Sequence, residues 1–202
     1  MTGALNDTTL MEYMERGKQI VRPFSKESLQ PASIDLRLGC ETYKYNLTGL
    51  TLGEDIEDSN IERDKFERRD MAPGETAFIG TYEEIMIPKD CLGVIFPRSS
   101  VSRLGIIITT MYMNPGYTGR PALTIINNSG ITISISTGIR VAQLVLVKLI
   151  SSPTSGYNNK IGAKYHNEVA ASSKIHKDED IKKILDSTLE KETPSLYKLM
   201  KK

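Results

Sequence analysis

A chain of 202 residues holds one well-cored domain with a tail and is too short for two large domains. Lys and Arg total 26 against 25 Asp and Glu, a formal net charge of +1. No whole-molecule field therefore draws the chain to nucleic acid or to an anionic membrane, and any anionic ligand must be held by a local cluster of Arg and Lys.

Residues 1–20 alternate charged with apolar side chains and contain no continuous apolar stretch, so they read as neither a signal peptide nor a membrane span. Asn6 to Gly17 predicts a short helix, with Asp7 and Thr8 as caps, Leu10, Met11 and Met14 at helical spacing, and Gly17 closing it. From Ile20 to about Lys148 the chain changes to short apolar runs broken by Pro and Gly, among them IDLRLG, ETAFIG, LGVIF, ALTIINN and RVAQLVLVKL. Runs of that length, rich in Ile, Val and Thr, predict a mainly β barrel or sandwich. Gly49 to Arg69 is dense in charge and poor in apolar residues, which predicts an exposed loop or a strand-edge insertion. Beyond Lys148 a polar stretch runs to about Ser173. Asp178 to Lys202, with Ile181, Ile184, Leu185 and Leu189, then predicts an amphipathic C-terminal helix that packs on the domain or on a neighbour. The expected organisation is a domain over residues 1–177 and a helical extension over 178–202. Cys40 and Cys91 are far apart and lack metal-ligand spacing, so a reduced, cytoplasmic chain is expected, with a single disulfide as the alternative.

Three segments carry candidate chemistry. In PRSSVSRLG, Arg98, Ser99, Ser100 and Arg103 sit where two apolar runs meet, and planar guanidinium donors with hydroxyls suit phosphate oxygens. A polar turn with its arginines in water fits the same residues. NPGYTG, residues 114–119, reads as a tight hairpin that presents Tyr117 at a strand end, where a ring can cap a sugar or base or simply pack on its neighbours. GYNNKIGAKYHNE places Tyr157, Lys160, Lys164, Tyr165 and His166 in a Gly- and Asn-rich stretch. Such a stretch is either a loop that closes over phosphates or a solvated linker.

Taken in order, PASIDLRLG, APGETAFIGTYEEIMIP, PRSSVSRLG, NPGYTG, the Gly138–Leu149 run and AKY resemble the dCTP deaminases, a group that shares its superfamily with the trimeric dUTPases. The resemblance covers about Leu10 to Lys177. It implies a distorted β-barrel of the dUTPase-like β-clip kind, a homotrimer, and nucleotide sites between subunits. It also implies roles: Arg98 and Ser99 on the triphosphate, Ser100 in the nucleotide site, Arg103 near the reacting base and water, and Tyr117 over the deoxyribose. The main chain from Thr110 to Asn114 would read the pyrimidine edge, Gln143 matches a glutamine of the late barrel strand, and Tyr157 and Lys164 match the tail that closes on the phosphates. Magnesium would arrive with the triphosphate, and zinc is not used.

The sequence departs from that pattern where the chemistry lies. A deaminase of this type has a glutamate proton shuttle where this chain has Thr124, and a hydroxyl has no usable basicity near neutral pH. The aspartate that activates water in dUTPases is Asn114 here, an amide that can hold a sugar hydroxyl but accepts no proton. Glu168 stands where deaminases carry an amide near the phosphates, and a carboxylate there repels polyphosphate. No carboxylate occurs between Arg98 and Ser155, so a replacement base would have to come from elsewhere, such as Glu83, Glu84 or Glu168 of this or a neighbouring subunit. The expectation is a nucleotide-binding trimer without turnover. A deaminase or dUTPase with a displaced base is one alternative, and a vestigial pocket whose helix recruits a partner is the other.

Overall fold

The computed structural model describes residues 3–17, 19–160 and 163–192. A short strand, β1 (Gly3–Ala4), precedes helix α1 (Asp7–Glu15). The cap of α1 is Asn6, not the expected Asp7 or Thr8. Asn6 is the residue still in extended conformation, and its side chain accepts from the Thr9 N–H at 3.0 Å. Gly17 closes the helix at φ +76°, its N–H donating to the Met14 carbonyl at 3.1 Å.

The strands that follow are β2 (Val21–Arg22), β3 (Leu29–Gln30), β4 (Ser33–Tyr45), β5 (Ile61–Lys65), β6 (Arg68–Met71), β7 (Thr76–Thr81), β8 (Glu84–Met86) and β9 (Cys91–Pro97). A single helical turn, α2 (Ser99–Ser102), leads to β10 (Ile106–Ile108), β11 (Met111–Met113), β12 (Thr118–Arg120), β13 (Ala122–Asn127), β14 (Ile133–Ser136) and β15 (Arg140–Lys148). The described chain ends with β16 (Glu168–Val169) and helix α3 (Glu179–Glu192). The expected mainly β architecture is therefore what the chain adopts.

The chain divides into two compact units. The first is Met1–Lys44 with Arg63–Ala171. Its principal sheet, in the order β10-β13-β7-β4-β15-β9-β11, curls into a half-barrel. A smaller sheet has the order β16-β12-β8-β2, and β14 pairs with β6. Alternation along β13 shows which face packs on the core: Leu123 and Ile125 are buried, whereas Thr124 and Ile126 are half-buried on the other face. Leu36, Leu38, Ile79, Ile95, Leu144 and Leu10 of α1 complete this core, all fully buried. Each contributes about 1.5–3 kcal/mol through its burial. Asn127, also fully buried, is satisfied at every polar atom: its amide donates to the Met71 and Ile131 carbonyls and its oxygen accepts from Ser129. Helix α1 is also tied down by polar contacts, since Lys148 Nζ donates to the Tyr13 hydroxyl at 2.7 Å and that hydroxyl donates to Asp90 at 3.1 Å.

The second unit joins Tyr45–Glu62 with the chain from Ser172 onward. Here Tyr45 accepts from the Ser173 N–H at 3.0 Å, and Gly53 lies so close to α3 that a Cβ would stand 2.4 Å from Ile181 and 2.9 Å from Leu185. The charged Gly49–Arg69 segment is thus more ordered than a loop. It holds a 3-10 turn at Asp58–Asn60, all of β5 and the start of β6, and Ile61 is buried. The expected terminal helix is present over Glu179–Glu192, with Ile184 exposed. Its predicted continuation over 193–202, and the side chain of Leu189, lie outside the described residues. Among the described residues no helix is long and apolar enough to cross a membrane.

Candidate functional site

The first chemistry-bearing segment leaves the core at Pro97, where β9 ends. Arg98 donates its backbone N–H to the Val141 carbonyl at 2.9 Å, and this fixes the start of α2 beside β15. The Arg98 side chain turns back to the sheet. Its Nε lies 3.4 Å from Asp35 Oδ2 and one terminal nitrogen donates to the Arg140 carbonyl at 3.3 Å. Asp35, on central strand β4, is only 1% exposed. Arg140 approaches the same oxygen at 3.5 Å, and Gln30 of β3 donates to it at 3.3 Å. Burial pushes the Asp35 carboxyl up from its ordinary pKa, while Arg98, Arg140 and the Gln30 hydrogen bond pull the other way. Gln143 is the cross-strand partner of both Asp35 and Phe96, so it completes a row over this pole of the sheet. Ser99, Ser100 and Arg103 are exposed at its rim. The pole thus offers two half-exposed guanidinium groups anchored from behind, with hydroxyls in front, an arrangement suited to an anion.

The second and third segments come together at the other pole. NPGYTG is a turn, closed by the Tyr117 N–H donating to the Asn114 carbonyl at 3.0 Å, but it is not the predicted hairpin. Its flanking strands join different sheets, β11 pairing with β9 and β12 with β8. Tyr117 is not presented at a strand end either, for it is 4% exposed. The strap formed by residues 156–160 and 163–170 covers it. The Tyr157 N–H donates to the Pro115 carbonyl at 2.7 Å, the Asn167 N–H to Thr118 at 2.8 Å and the Ala170 N–H to Arg120 at 2.9 Å. β16 pairs in parallel with β12, setting Glu168 opposite Gly119. The Tyr117 hydroxyl donates to Glu168 Oε1 at 2.7 Å, and the rings of Tyr117 and Tyr157 lie 6.1 Å apart. Burial first, then the charge of Glu168, pushes the Tyr117 phenol well above its ordinary pKa, so it stays a donor at neutral pH. Gly116 and Gly119 are explained by this packing. A Cβ on Gly119 would sit 2.9 Å from the Tyr117 hydroxyl and 3.0 Å from the Glu168 backbone, and one on Gly116 would sit 3.1 Å from Asn158. Lys164 is half-buried with Nζ 5.9 Å from the centre of the Tyr165 ring. Residues 161–162 of this segment lie outside the described ones.

Thr124 belongs to neither pole. It is half-buried on the outer face of the sheet, paired across the ladder with Phe78, which stacks on Tyr43 at 4.8 Å. Its carbonyl accepts from the Thr109 N–H at 3.1 Å, which places the exposed Thr110 next along that edge. The three acids considered as replacement bases each have a partner. Glu83, 2% exposed, accepts from the Arg37 backbone at 2.9 Å and from its guanidinium at 2.6 Å. Glu84 is paired with Arg22, and Glu168 with Tyr117. Among the described residues no group of three or more His, Cys, Asp or Glu converges.

The two poles lie at opposite ends of β9. Met113 pairs with Gly93, and the strand runs on to Pro97 before reaching Arg98. From Gly93 to Arg98 is five residues of extended chain, about 17 Å along the backbone. Two members of the anion pole were missed by the sequence reading, Asp35 and Arg140. They lie in the runs IDLRLG and RVAQLVLVKL, and an acid between the apolar Ile34 and Leu36 was the available signal.

The family model described as dCTP deaminase-like matches residues 4–149. A relative named "dCTP deaminase, dUMP-forming" from Dictyoglomus thermophilum is 32% identical over 174 residues, covering 81% of this chain and 90% of that one. One of the same name from Nanoarchaeum equitans is 32% identical over 195 residues, covering 86% and 98%. Among solved structures, 2'-deoxycytidine 5'-triphosphate deaminase from Agrobacterium tumefaciens superposes with a TM-score of 0.58 at 22% identity. That match covers 73% of this chain and only 48% of the other, and it is a likeness of fold.

Proposed function

The chain belongs to the dCTP deaminase-like family, and from that premise we propose that it is a cytoplasmic homotrimer that binds a pyrimidine nucleotide without turning it over. Arg98, Ser99, Ser100 and Gln143 take the phosphates, and Arg103 lies toward the base. Thr110 to Asn114 present main chain to the pyrimidine edge. Tyr117, Tyr157 and Lys164 come from the strap pole. The separation of the two poles along β9 supports a site assembled between subunits, the anion pole of one completed by the strap pole of the next. Asp35, the buried carboxylate at the anion pole, is already bridged by two arginines. Magnesium would accordingly be held through phosphate oxygens, where it offsets their charge.

The observation that carries the absence of turnover is the environment of Thr124. The position of the family's proton shuttle holds a hydroxyl beside Phe78, and Glu83, Glu84 and Glu168 each have another partner. General-base assistance typically supplies about 10²–10⁴-fold in rate, and neither Thr124 nor Asn114 can provide it. A second reading has a specific support: the relatives are named as dCTP deaminases. In that reading a carboxylate of a neighbouring subunit replaces the shuttle. The binding half of the proposal is tested by calorimetry with dCTP and dUTP. Arg98→Ala is expected to lose at least about tenfold in affinity, since it removes a charge-assisted contact; unchanged affinity places the site elsewhere.

A further inference from the structure

We propose that Arg140 is a second phosphate-binding arginine of this site and that Asp35 is the buried positioning residue that holds Arg98 and Arg140 as one convergent pair. This rests on the nucleotide reading and extends it to two residues that the resemblance did not assign. Both guanidinium groups meet a single oxygen, Asp35 Oδ2, at 3.4 and 3.5 Å. Asp35 is 1% exposed, whereas the side chains of Arg98 and Arg140 are 30% and 40% exposed. The carboxylate is therefore behind the pair and the open faces of both arginines are in front.

Two further contacts and a bulge fix Arg140. One of its terminal nitrogens donates to the Glu27 carbonyl at 2.7 Å, its own carbonyl accepts from Arg98 at 3.3 Å, and the ladder between β15 and β4 shifts register between Arg140 and Ala142. A bulge of that kind re-aims a side chain, and bulges concentrate beside binding sites. Two guanidinium groups share the one buried carboxylate here, with the exposed Glu27 carboxylate near enough to interact with Arg140, and Ser99 and Ser100 lie exposed at the rim. Planar donors fixed in this way suit the oxygens of a polyphosphate.

Positioning and simple charge predict opposite signs. If only charge mattered, Asp35→Asn would remove a negative group from behind an anion site and tighten binding. With Asp35 as the positioning residue, the same change frees both arginines and weakens binding. The experiment measures affinity for dCTP and for inorganic tripolyphosphate by calorimetry, with thermal unfolding in parallel. Asp35→Asn is expected to lose about tenfold for both ligands while its melting temperature holds, a combination that a merely structural role does not produce.

Arg140→Lys, a change at a half-exposed side chain that keeps the charge but not the planar fork, provides the check should Asp35→Asn fold poorly. It is expected to lose about tenfold at unchanged melting temperature, and Arg140→Gln to lose more. Tighter binding by Asp35→Asn, or unchanged affinity in Arg140→Lys, overturns the proposal while nucleotide binding by the wild type keeps the wider reading intact. A wild type that binds neither dCTP nor tripolyphosphate removes both.

Discussion

Replacing Tyr117 by Phe removes one oxygen and leaves the ring, so it isolates the bond that pins the strap. The Tyr117 hydroxyl is buried and donates to Glu168 over 2.7 Å. A hydrogen bond to a charged group contributes about 1.5–3 kcal/mol, and water at the half-exposed Glu168 recovers part of that, leaving about 1 kcal/mol for the strap. That amount is roughly a fivefold change in the local opening equilibrium. Hydrogen exchange should report it at the Asn167 and Ala170 amides, which donate to Thr118 and Arg120. The core amides of β13 and β7 should not change. The pH dependence has a definite sign. The folded-state pKa of Tyr117 lies above its ordinary value of 10.0, so its contribution is complete below that value and is lost as pH rises above it. Wild-type strap protection should therefore weaken in strong alkali, and Tyr117→Phe should lack that component. Equal exchange at Asn167 and Ala170 in both proteins refutes the reasoning.

Gly119→Ala puts a methyl group 2.9 Å from the Tyr117 hydroxyl and 3.0 Å from the Glu168 backbone. It should loosen the same amides and cost about 1–3 kcal/mol in a urea melt; wild-type stability and exchange would show that the strap does not need the close approach. Asp35, with its folded pKa raised by burial, contributes most to stability when protonated, and that contribution declines as pH rises through the ordinary carboxylate range. Asp35→Asn should consequently flatten the stability profile and melt no earlier than wild type at pH 7, and a variant destabilised more at pH 7 than at pH 4 contradicts the sign. Light scattering should find a trimer at micromolar concentration, and a monomer throughout that range removes the shared site.

The strands were legible because the short apolar runs are punctuated by Pro, Gly and other turn residues, and PRSSVSRLG was correctly placed where β9 gives way to β10. The cap of α1 was misread by one residue, since Asn6, Asp7 and Thr8 all carry capping side chains and only the backbone distinguishes them. NPGYTG failed for a deeper reason. Its turn chemistry is local, but strand pairing is not, and nothing in six residues says that β11 and β12 enter different sheets. The burial of Tyr117 is set by Tyr157 and Glu168, brought back by a long excursion through β13 and β15. Asp35 and Arg140 were hidden in the same way, since they meet only through the pairing of β4 with β15, in which Arg140 stands opposite Arg37 and Asp35 opposite Gln143.

The central claim is that the pocket binds its nucleotide and lacks the base to act on it. The direct measurement incubates the purified protein with dCTP, and separately with dUTP, in the presence of magnesium, following ammonia and pyrophosphate while calorimetry on the same sample records binding. The account predicts saturable binding with product formation at background, because Thr124 and Asn114 cannot take a proton from water. Sustained release of ammonia from dCTP, or of pyrophosphate from dUTP, at rates that Arg98→Ala abolishes would contradict it and establish an enzyme whose base lies on another carboxylate.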